Sequence, residues 1–294
     1  MTSTQAGILQ DLPRVARYLS FDLAEVSSAA AALSRLRETL HGDTVVVGLG
    51  AQTVAALGAS VPGLRPFPDL KATVDVPNTP VALWCWLRSS DKTDQGHLLH
   101  LSRQIEQSVA PAFKLIDVTD AFSHAAGHDL SGYEDGTENP EEPAPVALVS
   151  GAGTGLDGGS LVAVQKWTHK LDVIASMPQH AKDHTIGRRQ SDNQELDDAP
   201  ASAHVKRTAQ ESFEPEAFVW RRSMPWAAGQ DGGLMFVAFG RTLDAFEAQM
   251  RRMAGLDDGM VDALFGISQP VSGAYLWCPP VEAGRLDWSA LNLS

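Results

Sequence analysis

Three groups of residues in this chain have types and spacings that could do chemistry. The first is Gly132-Tyr133-Glu134-Asp135-Gly136-Thr137-Glu138-Asn139-Pro140. Its two glycines permit backbone conformations closed to other residues. Asp135 between them can therefore come close to a ligand, as a base or an acceptor. The same letters also describe an acidic turn in which Asp135 bonds local amides. A calcium loop is a poorer description, because the twelve-residue EF-hand pattern is absent. The second group is His204, in Ala203-His204-Val205-Lys206 after a charged loop. Its imidazole is either structural or a ligand to a metal or a haem iron. The third is the arginines, Arg188-Arg189 after Ile186-Gly187 and Arg221-Arg222 after Val219-Trp220. Exposed arginines need no explanation, whereas a guanidinium turned into a pocket binds carboxylates or a developing oxyanion.

Other chemistries find less support. His180 and His184 are four apart, but Asp183 and the loop context make them a weak metal pair. No zinc-protease, phosphate-loop or nucleophile-elbow pattern occurs. Gly151-Ala152-Gly153-Thr154-Gly155 does not match the dinucleotide fingerprint. Cys85 and Cys278 lie in apolar stretches without Cys-x-x-Cys spacing, so they read as buried free thiols, and a covalently attached haem is excluded. Tyr133, Trp167, Trp220, Trp226 and Tyr275 are either core packing or stations for electrons.

The residues must be held by a fold of ordinary globular composition. The chain has 294 residues, 44% hydrophobic and 20% charged, which suggests two domains or one large one. Its net charge of −13 argues against a nucleic-acid or anionic-membrane surface. No apolar run approaches the ~20 residues of a membrane span, and the N-terminus does not read as a signal peptide. A cytoplasmic location is expected.

Hydrophobic periodicity predicts strands at Arg17–Leu23, Thr44–Leu49, Pro80–Leu87 and Phe113–Val118. It predicts helices at Ala29–Leu40 and His97–Val109, the latter with Leu98, Leu101, Ile105 and Val109 on one face. The order β-α-β-β-α-β is the split motif of ferredoxin-like domains. The second half reads similarly. Strands are expected at Ser160–Trp167 (Leu161, Ala163 and Gln165 on one side), His204–Thr208, Gly233–Phe239 and Ala274–Trp277. A short helix starts at Leu171, and an amphipathic one spans Leu243–Met253 with Thr242 as its cap. A strand followed by a helix recurs at Ala82–Val109 and Leu234–Met253. Two polar stretches, His128–Gly159 and His180–Ala203, read as loops long enough to be functional.

Taken in this order, the pieces resemble the dye-decolorizing peroxidases, the compact B-type in particular. Gly132 to Gly136 matches the family's Gly-x-x-Asp-Gly signature, and Thr137-Glu138-Asn139-Pro140 fits its extension. Ile186-Gly187-Arg188, Ala203-His204-Val205 and Arg221-Arg222-Ser223-Met224-Pro225 follow in the family's order. So do Leu12-Pro13-Arg14, Arg17-Tyr18-Leu19 and Val61 to Phe67 upstream.

The resemblance implies an α+β protein of two ferredoxin-like halves, residues 1–145 and 146–294, in a dimeric α+β barrel-type fold. The second half would bind haem b, with Asp135 reaching the shared site from the connecting loop. His204 would hold the iron, with Asp262, or failing that Asp258, accepting its other imidazole N–H. Asp135 and Arg221 would form the peroxide pocket. Arg188 would pair a haem propionate, and Ser223 stands where some relatives carry Asn. The implied activity is reduction of hydrogen peroxide by heterolysis to a ferryl intermediate, followed by oxidation of dyes, phenols or other small aromatic reductants. With an unperturbed Asp near pH ~3.9, an Asp135 base predicts a preference for acid. A homo-oligomer is expected, with no nucleic-acid or membrane partner. The alternatives are a haem-handling protein with incidental peroxidase activity and a cofactor-free binding module.

Overall fold

The computed structural model describes residues 2–40, 44–71, 73–125 and 127–293. The first half carries β1 (Val15–Leu23), α1 (Ala29–Thr39), β2 (Val45–Gly50), β3 (Leu83–Ser89), α2 (Gln95–Val109) and β4 (Phe113–Phe122). The second carries β5 (Ser160–His169), α3 (Leu171–Ser176), α4 (Gln179–Ile186), α5 (His204–Arg207), β6 (Met224–Ala228), β7 (Asp231–Gly240), α6 (Asp244–Met253) and β8 (Ala274–Cys278). Each half pairs its strands in the same order, second-third-first-fourth: β2-β3-β1-β4 and β6-β7-β5-β8. This is the ferredoxin-like arrangement twice over. The two sheets close into one antiparallel barrel through short seams. Trp226 pairs with Ala121 at one, and Leu276 and Trp277 pair with Gly50 and Leu49 at the other.

Side chains alternate across the barrel wall as the strand period of two requires. Trp84 and Trp86 on β3, Val162 and Val164 on β5, and Met235, Val237 and Phe239 on β7 belong to an inner cluster with Tyr18 and Leu276. Their neighbours Leu83, Cys85, Leu87, Leu161, Ala163 and Ala238 face outward and pack with Leu33 and Leu36 of α1, Leu98 and Ile105 of α2, and Phe246 and Met250 of α6. Both cysteines are free and buried, and burial pushes their thiols up.

Three expectations change. His204–Arg207 is one helical turn, not a strand, because a four-residue alternation cannot be told from a turn of helix. The second strand of that half is instead Met224–Ala228. Pro225 hides it, since proline donates no ladder hydrogen bond. The strand tolerates the proline because it is fully paired only with β7 and meets β4 at a single residue pair. The stretch expected as loop from His180 begins with α4, which follows directly on Pro178. A smaller shift concerns α6, which starts at Asp244 with Leu243 in the cap position, while the Thr242 hydroxyl accepts the Asp244 N–H at 3.4 Å.

Candidate active site

Between the outer face of β5 and β7 and the helices α4, α5 and α6 lies a cleft of about 830 Å³, mouth included. Strand alternation delivers Gln165, Trp167 and His169 to its wall, and Leu234 and Phe236 beside them. Phe246, Met250 and Met253 of α6 and Ile186 of α4 complete an apolar lining. Polar groups converge on it from two directions, His204 from α5, and Asp135 from a loop with Arg221 from the short strand Trp220–Arg221 that pairs with β7.

His204 opens α5 after the fully buried Ala203. Its Nδ1 is 2.8 Å from Oδ2 of Asp262, which is 1% exposed. The other Asp262 oxygen accepts the Leu264 N–H at 2.8 Å and caps a short turn over Ala263–Gly266. The Asp262 N–H donates to the Met253 carbonyl at 2.8 Å, tying this turn to the end of α6. With Nδ1 engaged, Nε2 is the nitrogen left for a ligand. Asp258 is placed elsewhere. It pairs with the buried guanidinium of Arg207 at 2.6 and 2.8 Å, and those hydrogen bonds hold its carboxyl down to about 2.

Asp135 and Arg221 meet at 3.8 Å, outside hydrogen-bond range, so both side chains are free to engage a small molecule. Asn139 explains the extension of the glycine motif. Its side chain accepts the Arg221 N–H at 2.8 Å and donates to the Arg221 carbonyl at 3.1 Å. The loop is thereby clipped to the arginine it serves. Gly136 has φ +78°, a turn conformation that other residues rarely adopt. Asp135 and Arg221 also line a second, smaller cavity with His128, Asn139 and Ser223. Ser223 lies on that side and not on the main cleft; its hydroxyl accepts the Val237 N–H at 3.3 Å. Arg222 turns away, stacks on Trp220 at 4.7 Å and donates to the Gln10 carbonyl. Burial, with Arg88 nearby, pushes it down to about 10.

Arg188 does not line the cleft. It is held by Glu138 and by the Asn193 carbonyl at 2.9 Å, linking the glycine-motif loop to the segment after α4. His169 does line it, although it lies outside the three groups of chemically suggestive residues. Its ring bridges Asp129 Oδ1 at 2.8 Å and Ser268 Oγ at 2.7 Å. The signal was available, since His169 continues the outward series Gln165, Trp167. Asp129 is depressed despite burial, which acts to raise it, because His169 and Ser131 bond to it. Of the five aromatic residues noted above, Tyr133 and Trp167 reach the cleft. Trp220, Trp226 and Tyr275 stand behind it, with hydrogen bonds to Ile8, Trp167 and Glu247.

The cleft fits haem. Its walls are apolar and aromatic, and of its two imidazoles His169 has both ring nitrogens engaged while His204, held through Nδ1, keeps Nε2 free. Gln165 is fully buried on the wall with its amide nitrogen unpartnered among the described residues. Such an atom calls for a further polar group in the cleft. Among the described residues no group of three or more His, Cys, Asp or Glu is placed to hold a bare metal ion. A single free imidazole nitrogen, that of His204, suits an iron whose other ligands come with its macrocycle.

Residues 126–283 match the family described as Dyp-type peroxidase, C-terminal. The chain is 27% identical over 270 residues to the dye-decolorizing peroxidase of Mycobacterium tuberculosis, spanning 88% of this chain and 80% of that protein. A Dyp-type peroxidase protein of Shewanella oneidensis superimposes with a TM-score of 0.87 at 26% identity, covering 99% of this chain and 98% of its own. DyPB of Rhodococcus jostii RHA1 does so with a TM-score of 0.81 at 25% identity, covering 94% and 96%. The family match takes in Asp135, His204, Arg221 and Asp262 and more than half of the sequence, and so the chain belongs to the Dyp-type peroxidase family.

Proposed function

We propose that the chain is a B-type member in which His204 holds haem iron and Asp135 and Arg221 handle peroxide. As a dye-decolorizing peroxidase it is a hydrogen-peroxide-dependent haem oxidoreductase. A variant of the Rhodococcus jostii protein, 25% identical to this chain, has been solved in complex with haem. Likeness to DyPB over 94% of the chain supports the B-type assignment.

When bound, haem b supplies the iron at which the peroxide O–O bond is cleaved and holds the oxidising equivalents later taken up by one-electron donors. The protein's own part begins at His204. Asp262 fixes its Nδ1 as the protonated nitrogen and leaves Nε2 as the ligand, while the buried carboxylate strengthens the donor character of the ring. Asp135 accepts the proton from the near oxygen of hydrogen peroxide and returns it to the far oxygen, which leaves as water. The Arg221 guanidinium, clipped at its backbone by Asn139, stabilises negative charge on the separating oxygens. The small cavity shared by Asp135 and Arg221, which Ser223 and His128 also line, offers peroxide an approach to both side chains. A division at residues 145 and 146 then gives the second half the cofactor, with Asp135 lent from the connecting segment.

The observation that carries this reading is one cleft presenting an imidazole backed by a buried carboxylate together with a carboxylate and a guanidinium in loose contact. A haem-handling protein has no need of the second pair. The test is a peroxide titration of the haem-loaded protein across pH, by rapid mixing. The parent should react stoichiometrically. Asp135→Ala and Arg221→Ala should each react more slowly by about a hundredfold, the low end of acid–base and oxyanion contributions. Parent rates in both variants would remove the assignment.

A further inference from the structure

The barrel interior holds a second large cleft that the activity above does not use. It opens at the barrel end bounded by Thr79–Val81, Ile116–Asp117 and Val271–Ser272, and encloses about 1090 Å³, mouth included. Its walls are the inward partners of the residues that line the cofactor cleft. On β5, Val164, Lys166 and Thr168 alternate with Gln165, Trp167 and His169. Two indoles, Trp84 and Trp226, face this lumen. Its charged lining groups among the described residues are Lys166 and Asp117.

Several features state what would fit. Trp84 is 1% exposed, and its indole N–H has no partner among the described residues. A buried donor of this kind calls for an acceptor. The Lys166 ammonium donates to Thr119 Oγ1 at 2.9 Å and sits 4.6 Å from the centre of the Trp226 ring. Asp117 is 3.9 Å away and half-exposed at the rim, too far to take a hydrogen bond. An ammonium has three donors, so Lys166 keeps capacity for an anionic oxygen. Beside Asp117 the mouth carries two exposed apolar side chains, Ile116 at 53% and Val271 at 44%. The wall behind is one strand thick, since the Trp226 indole donates to the Trp167 carbonyl at 2.9 Å and Trp167 lines the cofactor cleft.

The geometry points to a binding site for a small planar aromatic carboxylate, such as a hydroxybenzoate, in the barrel lumen. The ring packs against Trp84 and Trp226, the carboxylate takes the free donor of Lys166, and an oxygen of the ligand satisfies the Trp84 N–H. A neutral aromatic of the same shape forgoes the charged contact, and an aromatic cation meets Lys166 as a like charge. The inference stands on the lumen's own side chains and does not depend on the roles given to His204, Asp135 or Arg221.

The test is calorimetric titration of 4-hydroxybenzoate into the full chain, haem-loaded and haem-free, with tryptophan fluorescence as a second readout. Equal binding to both forms is expected, with the Soret band unmoved. Lys166→Met should weaken binding about tenfold or more by loss of the charged hydrogen bond. Trp84→Phe, which keeps a ring and loses the N–H, should weaken it as well. Neutral 4-hydroxybenzyl alcohol should bind the parent about tenfold more weakly or worse. Melting curves show which variants remain folded, and the two variants report independently. Unchanged affinity in a folded Lys166→Met protein, or no binding by the parent at millimolar ligand, overturns the proposal. Binding that disappears on haem loading also overturns it, because the ligand then sits in the cofactor cleft. A chain that takes up no haem undoes the functional reading and leaves the lumen result standing on the haem-free titration.

Discussion

Replacing Asp262 with asparagine tests the group behind the proposed iron ligand, His204, without changing its shape. Both carboxylate oxygens are committed, one to His204 Nδ1 and one to the Leu264 N–H, each at 2.8 Å. Asparagine has one oxygen to offer. The Leu264 amide can only donate, so the oxygen belongs there and the NH₂ group faces His204. Nδ1 must then accept, and the ring proton moves to Nε2, the nitrogen assigned to iron. The opposite rotamer leaves the NH₂ group against the buried Leu264 N–H, at similar cost. Either way one hydrogen bond to a charged group is lost, about 1.5–3 kcal/mol, or about ten- to 150-fold in haem affinity. The assay is titration of the haem-free protein with haemin, followed at the Soret band, with paramagnetic resonance of the ferric protein to read axial ligation. The reduction potential should rise, because the ligand is no longer backed by an anion. Asp258→Asn is the control, since that carboxylate serves Arg207 and not His204. If Asp262→Asn binds haem like the parent with the same ligation, or if Asp258→Asn loses as much, the reasoning is wrong.

Three further outcomes follow from the same geometry. Asn139→Ala removes two hydrogen bonds from the Arg221 backbone. It should lose about 1–3 kcal/mol in urea unfolding and slow the peroxide reaction, with haem affinity unchanged; a parent peroxide rate would show that the clip does not position Arg221. Gly136→Ala places a Cβ 3.1 Å from Asn139 Nδ2 at φ +78°. It should cost about 1–2 kcal/mol, also by urea unfolding, and a stability equal to the parent's would contradict the strained turn. Asp258 ionises more readily folded than unfolded, so its contribution is complete above the unfolded value of about 3.9 and fades as pH falls toward about 2. Acid unfolding of Asp258→Asn should therefore have a shallower slope in that window than the parent's, and identical slopes would exclude the pair with Arg207 as the cause.

Much of the barrel was legible because alternation writes itself into short apolar strands. Leu83-Trp84-Cys85-Trp86-Leu87 is apolar throughout, as a strand buried on both faces should be. Where the pattern was short or interrupted it misled, at His204 and at Pro225. The site was legible in a different way. No spacing connects His204, Asp135 and Arg221, and family likeness alone marked them as a set. What the sequence could not convey is which carboxylate faces which cation. Arg188 pairs with Glu138, fifty positions away in the chain, and Arg207 with Asp258, in the turn after α6. Asn139 was visible as a letter of the motif, but its role appears only when the backbone of Arg221 is seen beside it.

The two halves share one strand order, yet the cofactor-sized cleft lies in the second, and the first crossover accounts for it. Residues 24–44 lead from β1 to β2, and α1 lays Ala29, Ala32, Leu33 and Leu36 directly on the sheet. The outward residues there, Leu19 and Phe21 of β1 and Leu83, Cys85 and Leu87 of β3, are apolar and fully covered. In the second half the crossover runs from residue 170 to 223, and its helices are short. It brings Ile186, His204 and Thr208 to the edge of an open space instead of a leucine stripe. The helix α6, counterpart of α2, keeps Phe246, Met250 and Met253 turned inward, so they become the far wall. Gln249 of the same helix donates to the Ala217 carbonyl at 2.6 Å and ties the long excursion back to the domain. The outward positions of β5 suit that space, with polar Gln165 and His169 on the cleft wall. A buried glutamine with an unpartnered nitrogen would be a defect under a packed helix. On the wall of a cleft made by a displaced crossover it belongs with the ligand, which makes the hole and its polar lining two consequences of one change in chain length.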